Sequence, residues 1–105
     1  MNGKVPIRKL SDQLRLEETD CERVRRTLAF SLSRYADCVD SVAFGIDVTP
    51  FGNADEYRCE LVATVSGGRQ IHITTRGTSL DETVARAAVR ASRSIDRAFL
   101  ETRSA

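Results

Sequence analysis

The chain has 105 residues, a mass of 11.6 kDa and a formal net charge of +1, so we expect a single domain spanning residues 1–105. Its apolar fraction of 41% and charged fraction of 30% are those of a folded globular protein and argue against a disordered chain. No apolar run approaches the length of a membrane span, and the first residues lack the apolar stretch of a secretory signal, which argues against a membrane or secreted protein.

A strand, a helix and a second strand are predicted in the first half of the chain. Residues 4–10 form a short strand candidate, which Pro6 restricts to a sheet edge or a strand start. Thr19 and Glu22 have the spacing of a capping box, and they predict a helix over residues 20–36. The apolar stripe of this helix comprises Cys21, Val24, Leu28, Leu32 and Tyr35.

Residues 41–49 alternate between apolar and polar side chains, as expected for a strand with one buried face. A loop rich in turn-forming residues is predicted at 50–55, followed by a strand at 57–65. Ser66–Gly68 predicts a tight hairpin that returns as a strand over residues 69–75.

A second helix follows from the capping box of Ser79–Glu82. Its core stripe comprises Leu80, Val84, Ala88, Ala91, Ile95 and Phe99. The element order is therefore β-α-β-β-β-α, which predicts the α+β class: a two-layer α/β sandwich with a four-stranded sheet and two helices on one face.

The three cysteines show no spacing typical of a disulfide framework or a thiolate zinc site. We expect Cys21, Cys38 and Cys59 to be reduced, mostly buried thiols in a cytoplasmic protein. His72 is the single histidine, and no cysteine pair or second histidine accompanies it, so we expect a surface histidine and no metal site.

The low net charge conceals a segregation of charge along the chain. Residues 35–60 contain six acidic residues and only Arg58 as a base, whereas residues 83–105 contain five arginines and two acidic residues. Local charge matters more than total charge when the partner is a polyanion. Four of these arginines, spaced by 4, 3 and 4 residues, lie on one line opposite the core stripe of the second helix: Arg86, Arg90, Arg93 and Arg97.

The first helix repeats this arrangement, because Arg23, Arg26 and Arg34 lie opposite its own core stripe. Phe30 falls among them, where it would either stack on a base, contact a partner or pack under a neighbouring loop. If the two helices lie side by side, both arginine rows would share one basic surface suited to structured RNA. The alternative is that each row is an ordinary solvated helix face.

The sequence shows no pattern typical of an enzyme active site or a cofactor-binding site. GxSxG, Walker and HExxH motifs are absent, and Gly67–Gly68 joins two strands instead of preceding a helix. Asp47 and Glu60 are expected on a flat, wet sheet face, which lacks the cleft that acid–base catalysis needs. We therefore expect a protein that is not an enzyme and that binds no cofactor and no small-molecule substrate.

The element order, the hairpin glycines and the series Arg90, Arg93 and Arg97 resemble the ribosome hibernation-promoting factor and ribosome-associated inhibitor family. Ser41–Phe44 and Ile71–Ile73 look like strands of the same family. The similarity extends over residues 4–99, and the chain resembles the short form of the family because it stops soon after the second helix. The acidic stretch at 50–56 is longer than in the family and would be repelled by RNA.

This resemblance implies a stationary-phase or stress protein that binds the mRNA and tRNA channel of the small ribosomal subunit and inhibits translation. The basic helix positions that face ribosomal RNA in the family are matched by Arg26, Arg34, Arg90, Arg93 and Arg97. Arg23, Arg86, Lys4, Arg8 and Lys9 would extend this footprint by their charge and position.

Two other functions remain open from the sequence. The first is a protein–protein adaptor of the same fold that has lost ribosome binding and uses Phe30 or the acidic residues Asp55 and Glu56. The second is a general binder of double-stranded RNA, which would use the same shape and charge.

Overall fold

The computed structural model describes residues 5–10 and 16–104, with side chains described as far as Phe99. In chain order the elements are β1 (Ile7–Lys9), α1 (Glu18–Ser31), a 3₁₀ turn (Ser33–Tyr35), β2 (Val39–Phe51), β3 (Ala54–Val65), β4 (Gln70–Gly77) and α2 (Leu80–Ser104). The predicted order of strands and helices is confirmed.

The four strands form one mixed sheet in the order β1-β2-β3-β4. β1 runs parallel to β2, and the other neighbours are antiparallel. The two helices contact each other; α2 packs on β3 and β4, and α1 lies towards β1. The predicted two-layer sandwich is confirmed, and its topology places α2 over the β4 edge of the sheet.

The core lies between the inner face of the sheet and the two helices. Beyond an irregularity between Val39 and Ser41, the side chains of β2 and β3 point alternately to the two sheet faces, and the inward ones include the fully buried Phe44 and Leu61. Leu28 and Leu32 cover them from the α1 side. The buried apolar residues described in α2 are Leu80, Val84, Ala87, Ala88, Ala91 and Ile95. The three alanines allow the axis of α2 to approach the sheet closely.

The boundaries of the first helix differ from the prediction of residues 20–36. α1 begins at Glu18, Glu17 is its N-cap residue, and no side chain caps it, so the predicted capping box of Thr19 is wrong. Helix α1 ends at Ser31, and the chain continues as the 3₁₀ turn Ser33–Tyr35, in which the Tyr35 N–H bonds to the Leu32 carbonyl at 3.0 Å. The Ser33 hydroxyl also donates a hydrogen bond to the Phe30 carbonyl at 3.0 Å.

The loop predicted at residues 50–55 is instead a tight hairpin. β2 continues to Phe51 and β3 begins at Ala54, so only two residues turn the chain. Gly52 has φ 64°, as required at the first position of such a turn. Pro50 does not interrupt the hairpin, because the residues of β2 that bond to β3 are the odd-numbered ones and its missing N–H is not needed there.

Two smaller differences concern the ends of other elements. β1 covers only Ile7–Lys9 of the predicted 4–10, although Val5 is buried as expected. Phe99, predicted in the core stripe of the second helix, is 44% exposed and lines a shallow hollow with Cys38 and Val65.

Two local predictions are confirmed. Gly67 and Gly68 both have positive φ angles and make the turn between β3 and β4. The Ser79 hydroxyl accepts a hydrogen bond from the Glu82 backbone N–H at 3.3 Å, so Ser79 caps α2 as its sequence indicates. Within the described chain, neither α1 nor α2 contains a stretch that is long and apolar enough to cross a bilayer.

All three thiols are buried, which confirms that part of the cysteine prediction. Burial, with a smaller contribution from the Glu60 charge, raises the pKa of Cys59 to about 12. Since the folded state favours the protonated thiol, its contribution to stability is complete below the ordinary thiol pKa and is lost as the pH rises towards 12.

We therefore expect the native protein to resist thiol labelling at pH 8 and to expose three reactive thiols in denaturant. A colorimetric thiol titration with and without urea tests this, and fast labelling of Cys59 in the native state would contradict the burial. Stability measured by urea unfolding should decline between pH 9 and pH 11, and a Cys59→Ala variant should decline less steeply.

Candidate nucleic-acid interface

The four predicted arginines of α2 lie outside the core, on the side of the helix that adjoins the free edge of β4. Arg86, Arg90, Arg93 and Arg97 are all exposed, whereas Val84 and Ala88 on the opposite side are buried. The predicted division of α2 into a core stripe and a basic face is confirmed.

Two of these arginines reach the free edge of β4. The Arg90 guanidinium donates a hydrogen bond to the Thr74 carbonyl at 3.0 Å, and the Arg86 guanidinium donates one to the Arg76 carbonyl. These carbonyls face outward because β4 is the last strand of the sheet. The two bonds hold the guanidinium groups in place and also protect an exposed strand edge, which is otherwise prone to pairing with other chains.

Gly77 makes room for one of these contacts. A Cβ atom at Gly77 would lie 2.5 Å from Nη2 of Arg86 and 2.6 Å from the hydroxyl of Thr83. Thr83 is fully buried and its hydroxyl bonds to the Ser79 carbonyl, so it has little freedom to move. Sequence analysis missed Gly77, since nothing in the local pattern indicates a close approach from a helix.

The basic face of α2 and the edge of β4 enclose a groove of about 760 Å³, here called the arginine groove. It is lined by Thr74, Thr75, Arg76, Ala85, Arg86, Val89, Arg90 and Arg93. A second hollow of about 380 Å³ continues it towards Arg97 and includes His72, which is exposed as predicted. Among the described residues, no carboxylate lines the groove or the second hollow, so the arginine side chains give both of them a positive potential.

Arg93 and Arg97 differ from their two neighbours, because within the described residues neither makes a hydrogen bond or ion pair. Glu82 lies one helical turn before Arg86, near the amino-terminal end of the row. Among the described residues, the uncompensated positive charge is therefore greatest around Arg93 and Arg97.

The arginines of α1 are placed differently, and the prediction of one shared basic surface is wrong in this respect. Arg23 pairs with Asp81 of α2 at 3.0 Å and with Asp20 at 3.3 Å. Arg34, which lies in the 3₁₀ turn after α1, approaches Asp96 of α2 at 3.4 Å. These contacts form a helix seam between α1 and α2. The helices do lie side by side, but that proximity brings α1 cations to α2 carboxylates instead of adding one row to the other.

Arg26 and Phe30 lie on the outer side of α1, one helical turn apart. Both are exposed, Phe30 to 84%, so the alternative in which this ring packs under a loop is wrong. Within the described residues Arg26 has no ion-pair partner. The two side chains remain available to a partner, but they are separated from the arginine groove by the helix seam.

The predicted amino-terminal extension of the basic footprint lies elsewhere on the molecule. Arg8 pairs in register with Ala43 and points to the sheet face opposite the helices. Lys9 belongs to β1, at the edge of the sheet that is farthest from β4. Lys4 lies outside the described residues. Arg8 and Lys9 therefore do not extend the arginine groove.

Tyr35 is the buried centre of the helix seam. Its hydroxyl lies 2.9 Å from Asp96 Oδ1 and 3.2 Å from the Ser92 carbonyl, and it accepts a hydrogen bond from Arg34 at 2.6 Å. The Arg34 guanidinium also covers the Tyr35 ring, 4.8 Å from its centre. Burial, and then the hydrogen bond to Asp96, raises the pKa of Tyr35 above its ordinary value. The sequence predicted Tyr35 in the core but not this network.

We expect Tyr35→Phe to lower the free energy of unfolding by about 1–2 kcal/mol at pH 7, because Asp96 and the Ser92 carbonyl lose their donor. The folded state favours the neutral phenol, so this contribution is present below about pH 10 and is lost above it. Urea unfolding at pH 7 and above about pH 10 measures the effect.

Tyr57→Phe is the matched control, since the Tyr57 side chain is half-buried and its hydroxyl makes no hydrogen bond within the described residues. Equal losses of stability in the two variants would contradict the role of Tyr35.

Within the described residues, no group of three or more His, Cys, Asp or Glu side chains is arranged to hold a metal ion. Asp47, considered beside Glu60 on the wet sheet face, pairs instead with Arg58 at 2.5 Å.

The chain matches no protein-family model, and no characterised protein sequence is significantly similar to it.

Proposed function

We propose that this protein is a non-enzymatic, ribosome-binding protein of the hibernation type. It occupies the mRNA and tRNA channel of the small ribosomal subunit and inhibits translation under stress or in stationary phase. The proposal is supported by the β-α-β-β-β-α order, which the resemblance implies, and by the arginine groove. It predicts a cytoplasmic protein whose partner is ribosomal RNA.

The observation that carries this proposal is the concentration of five arginines on the arginine groove and the hollow that continues it, without a lining carboxylate: Arg76, Arg86, Arg90, Arg93 and Arg97. A guanidinium offers a planar fork of donors that matches two oxygens of a phosphate. Arg86 and Arg90 are already held in position by the edge of β4, so less side-chain entropy is lost on binding.

The groove suits recognition of RNA by its backbone and shape. Its arginines recur every three or four residues along about three turns of α2, which suits contacts with a row of phosphates. No Phe, Tyr or Trp among the described residues lines it, so it has no aromatic ring for stacking on a base. With about four phosphate contacts, the logarithm of the affinity should fall with the logarithm of the salt concentration with a slope of about −3.

The direct experiment is sedimentation of the purified protein with separated ribosomal subunits through sucrose gradients. We expect the protein to migrate with the small subunit at about 50 mM salt and to be released at about 500 mM. A protein that remains at the top of the gradient at low salt would contradict the proposal. Added duplex RNA that competes as well as intact subunits would indicate the general double-stranded RNA binder instead.

The adaptor function has one observation in its favour, the exposed ring of Phe30. A pull-down from cell extract, treated with RNase and washed at high salt, distinguishes the two functions. Partners that survive this treatment and are lost in a Phe30→Ala variant would favour the adaptor, because a ribosomal RNA contact would not survive it.

A further inference from the structure

The β2–β3 hairpin extends past the rest of the sheet. β4 ends at Gly77, opposite Tyr57, and β1 pairs with β2 no further than Phe44. Three more residue pairs and the turn therefore project by about 10 Å. We call residues 48–56 the acidic arm, because this segment contains two acidic residues and no base.

The carboxylates of the acidic arm have no ion-pair partner among the described residues. Asp55 and Glu56 make no ion pair with the described residues, and Phe51 at the tip is 71% exposed. Phe51 and Glu56 share the outer sheet face, since Phe51 is in register with Ala54 and its diagonal neighbour is Glu56. The arm therefore presents an aromatic ring beside a carboxylate, with a second carboxylate on its other face.

The arginine groove has the complementary chemistry. Val89, which is 50% exposed, and Ala85 give the groove an apolar part of its lining, and the arginines Arg86, Arg90 and Arg93 line it as well. An apolar floor suits an aromatic ring, and uncompensated guanidinium groups suit carboxylates. The arm and the groove are thus matched in both polarity and charge.

The arm does not reach the groove of its own chain. β2 and β3 pair without interruption from Ser41 to Phe51, so the arm continues the plane of the sheet and does not bend back over α2. The Arg86 contact with the Arg76 carbonyl nevertheless places the groove near the end of β4, at the same end of the molecule as the arm. Two copies that overlap at these ends bring each arm to the groove of the other.

We propose that the acidic arm of one copy binds the arginine groove of a second copy, and that the reciprocal exchange forms a two-fold dimer. A two-fold axis satisfies both contacts at once and leaves no unpaired arm. The formal net charge of +1 adds little repulsion between copies. Because the dimer covers Arg90 and Arg93, it competes with RNA for the same groove; this consequence rests on the proposed function, whereas the dimer itself does not.

Charge-reversal complementation tests the proposal. The arm variant is Asp55→Lys with Glu56→Lys, and the groove variant is Arg93→Glu with Arg97→Glu. The arm variant carries positive charge on both arm and groove, and the groove variant keeps Arg76, Arg86 and Arg90 but loses most of its net positive charge, so we expect each variant alone to be mainly a monomer at about 150 mM salt. In an equimolar mixture the natural arm of the groove variant meets the intact groove of the arm variant, and the two introduced lysines lie against the two introduced glutamates, so we expect a mixed dimer under the same conditions.

The readout is sedimentation velocity of the full chain. For the natural sequence we expect a mass approaching twice 11.6 kDa at about 50 mM salt and a monomer at about 500 mM. A control with the same charge change, Asp37→Lys with Asp40→Lys at the far end of β2, should dimerise like the natural sequence. A monomer at low salt, a dimer of the arm variant alone, or no mixed dimer would each overturn the proposal.

Ribosome sedimentation of the same variants separates the two proposals. We expect the arm variant to bind small subunits at least as tightly as the natural sequence, because its groove is intact and no longer occupied by another arm. If the mixed dimer forms but the natural sequence never binds ribosomes, the proposed function fails and the dimer stands. If the natural sequence binds ribosomes and the variants fail to complement, the dimer fails alone.

Discussion

Replacing Arg93 and Arg97 by Glu should release the protein from ribosomes while leaving it folded. These two arginines are the members of the α2 row without a partner in the described chain, so their full charge is available to phosphate. Each charge-assisted hydrogen bond contributes roughly 1.5 kcal/mol or more, so the loss of two predicts binding about 100-fold weaker or worse. Sucrose-gradient sedimentation with small subunits measures the release.

Arg90 is left unchanged in this variant because it also holds the Thr74 carbonyl at the edge of β4, and its loss would expose that edge. The matched control is Arg8→Glu with Lys9→Glu, which makes the same change in charge at the opposite edge of the sheet. We expect the control to sediment with ribosomes, and both variants to keep their free energy of unfolding within about 0.5 kcal/mol. Retention of the Arg93/Arg97 variant on ribosomes would exclude the arginine groove as the binding surface.

Phe44→Ala should produce the largest loss of stability among single substitutions. Phe44 is fully buried in the centre of β2, and it is the largest of the fully buried side chains. Truncating a buried Phe costs about 3–5 kcal/mol, because the apolar transfer energy is lost and a cavity remains. Urea unfolding followed by far-UV circular dichroism measures this loss, and the thermal midpoint should fall by about 15 °C or more.

Phe30→Ala is the control, since it makes the same chemical change at a ring that is 84% exposed. We expect a change within about 0.5 kcal/mol, because little surface is removed from water at this position. Equal losses in the two variants would mean that Phe30 is covered in solution, which would favour a partner or a second copy on α1.

The core of the fold was predictable from local periodicity. The alternation in β2 and β3 and the 3.6-residue stripes of the helices identify Phe44, Leu61, Leu28 and Ile95 as core residues, and all four are buried. Such patterns are informative because one face of each element must leave water, whatever the neighbouring elements are.

The boundaries of elements were less predictable, because they depend on individual hydrogen bonds. After Ser31 the backbone bonds change to the 3₁₀ pattern, with the Tyr35 N–H bonded to the Leu32 carbonyl. Pro50 and Gly52 are typical of a loop, but in the hairpin Pro50 occupies a position that needs no N–H donor and Gly52 makes the turn. The predicted loop is consequently the tip of the longest hairpin.

The candidate site was predictable in composition but not in arrangement. Helical spacing identified the arginine row of α2, and the structure leaves that row exposed. The spacing of residues within one helix carries no information about the elements that pack beside it, so it could not indicate that Arg23 and Arg34 lie against Asp81 and Asp96 of α2. For the same reason, the local sequence around Gly77 could not indicate that this glycine lets Arg86 of α2 reach the edge of β4.

The sequence by itself determined the order of elements, the division of each element into an apolar and a charged face, and the burial of the core. Only the tertiary structure decided which charges remain uncompensated. Hydrophobic periodicity is a property of one segment, whereas the partner of a guanidinium is a carboxylate or carbonyl that packing brings within about 3 Å from a distant part of the chain. For this reason Arg23 and Arg34 pair with carboxylates of α2, whereas Arg93 and Arg97 keep an unpaired charge beside the edge of β4.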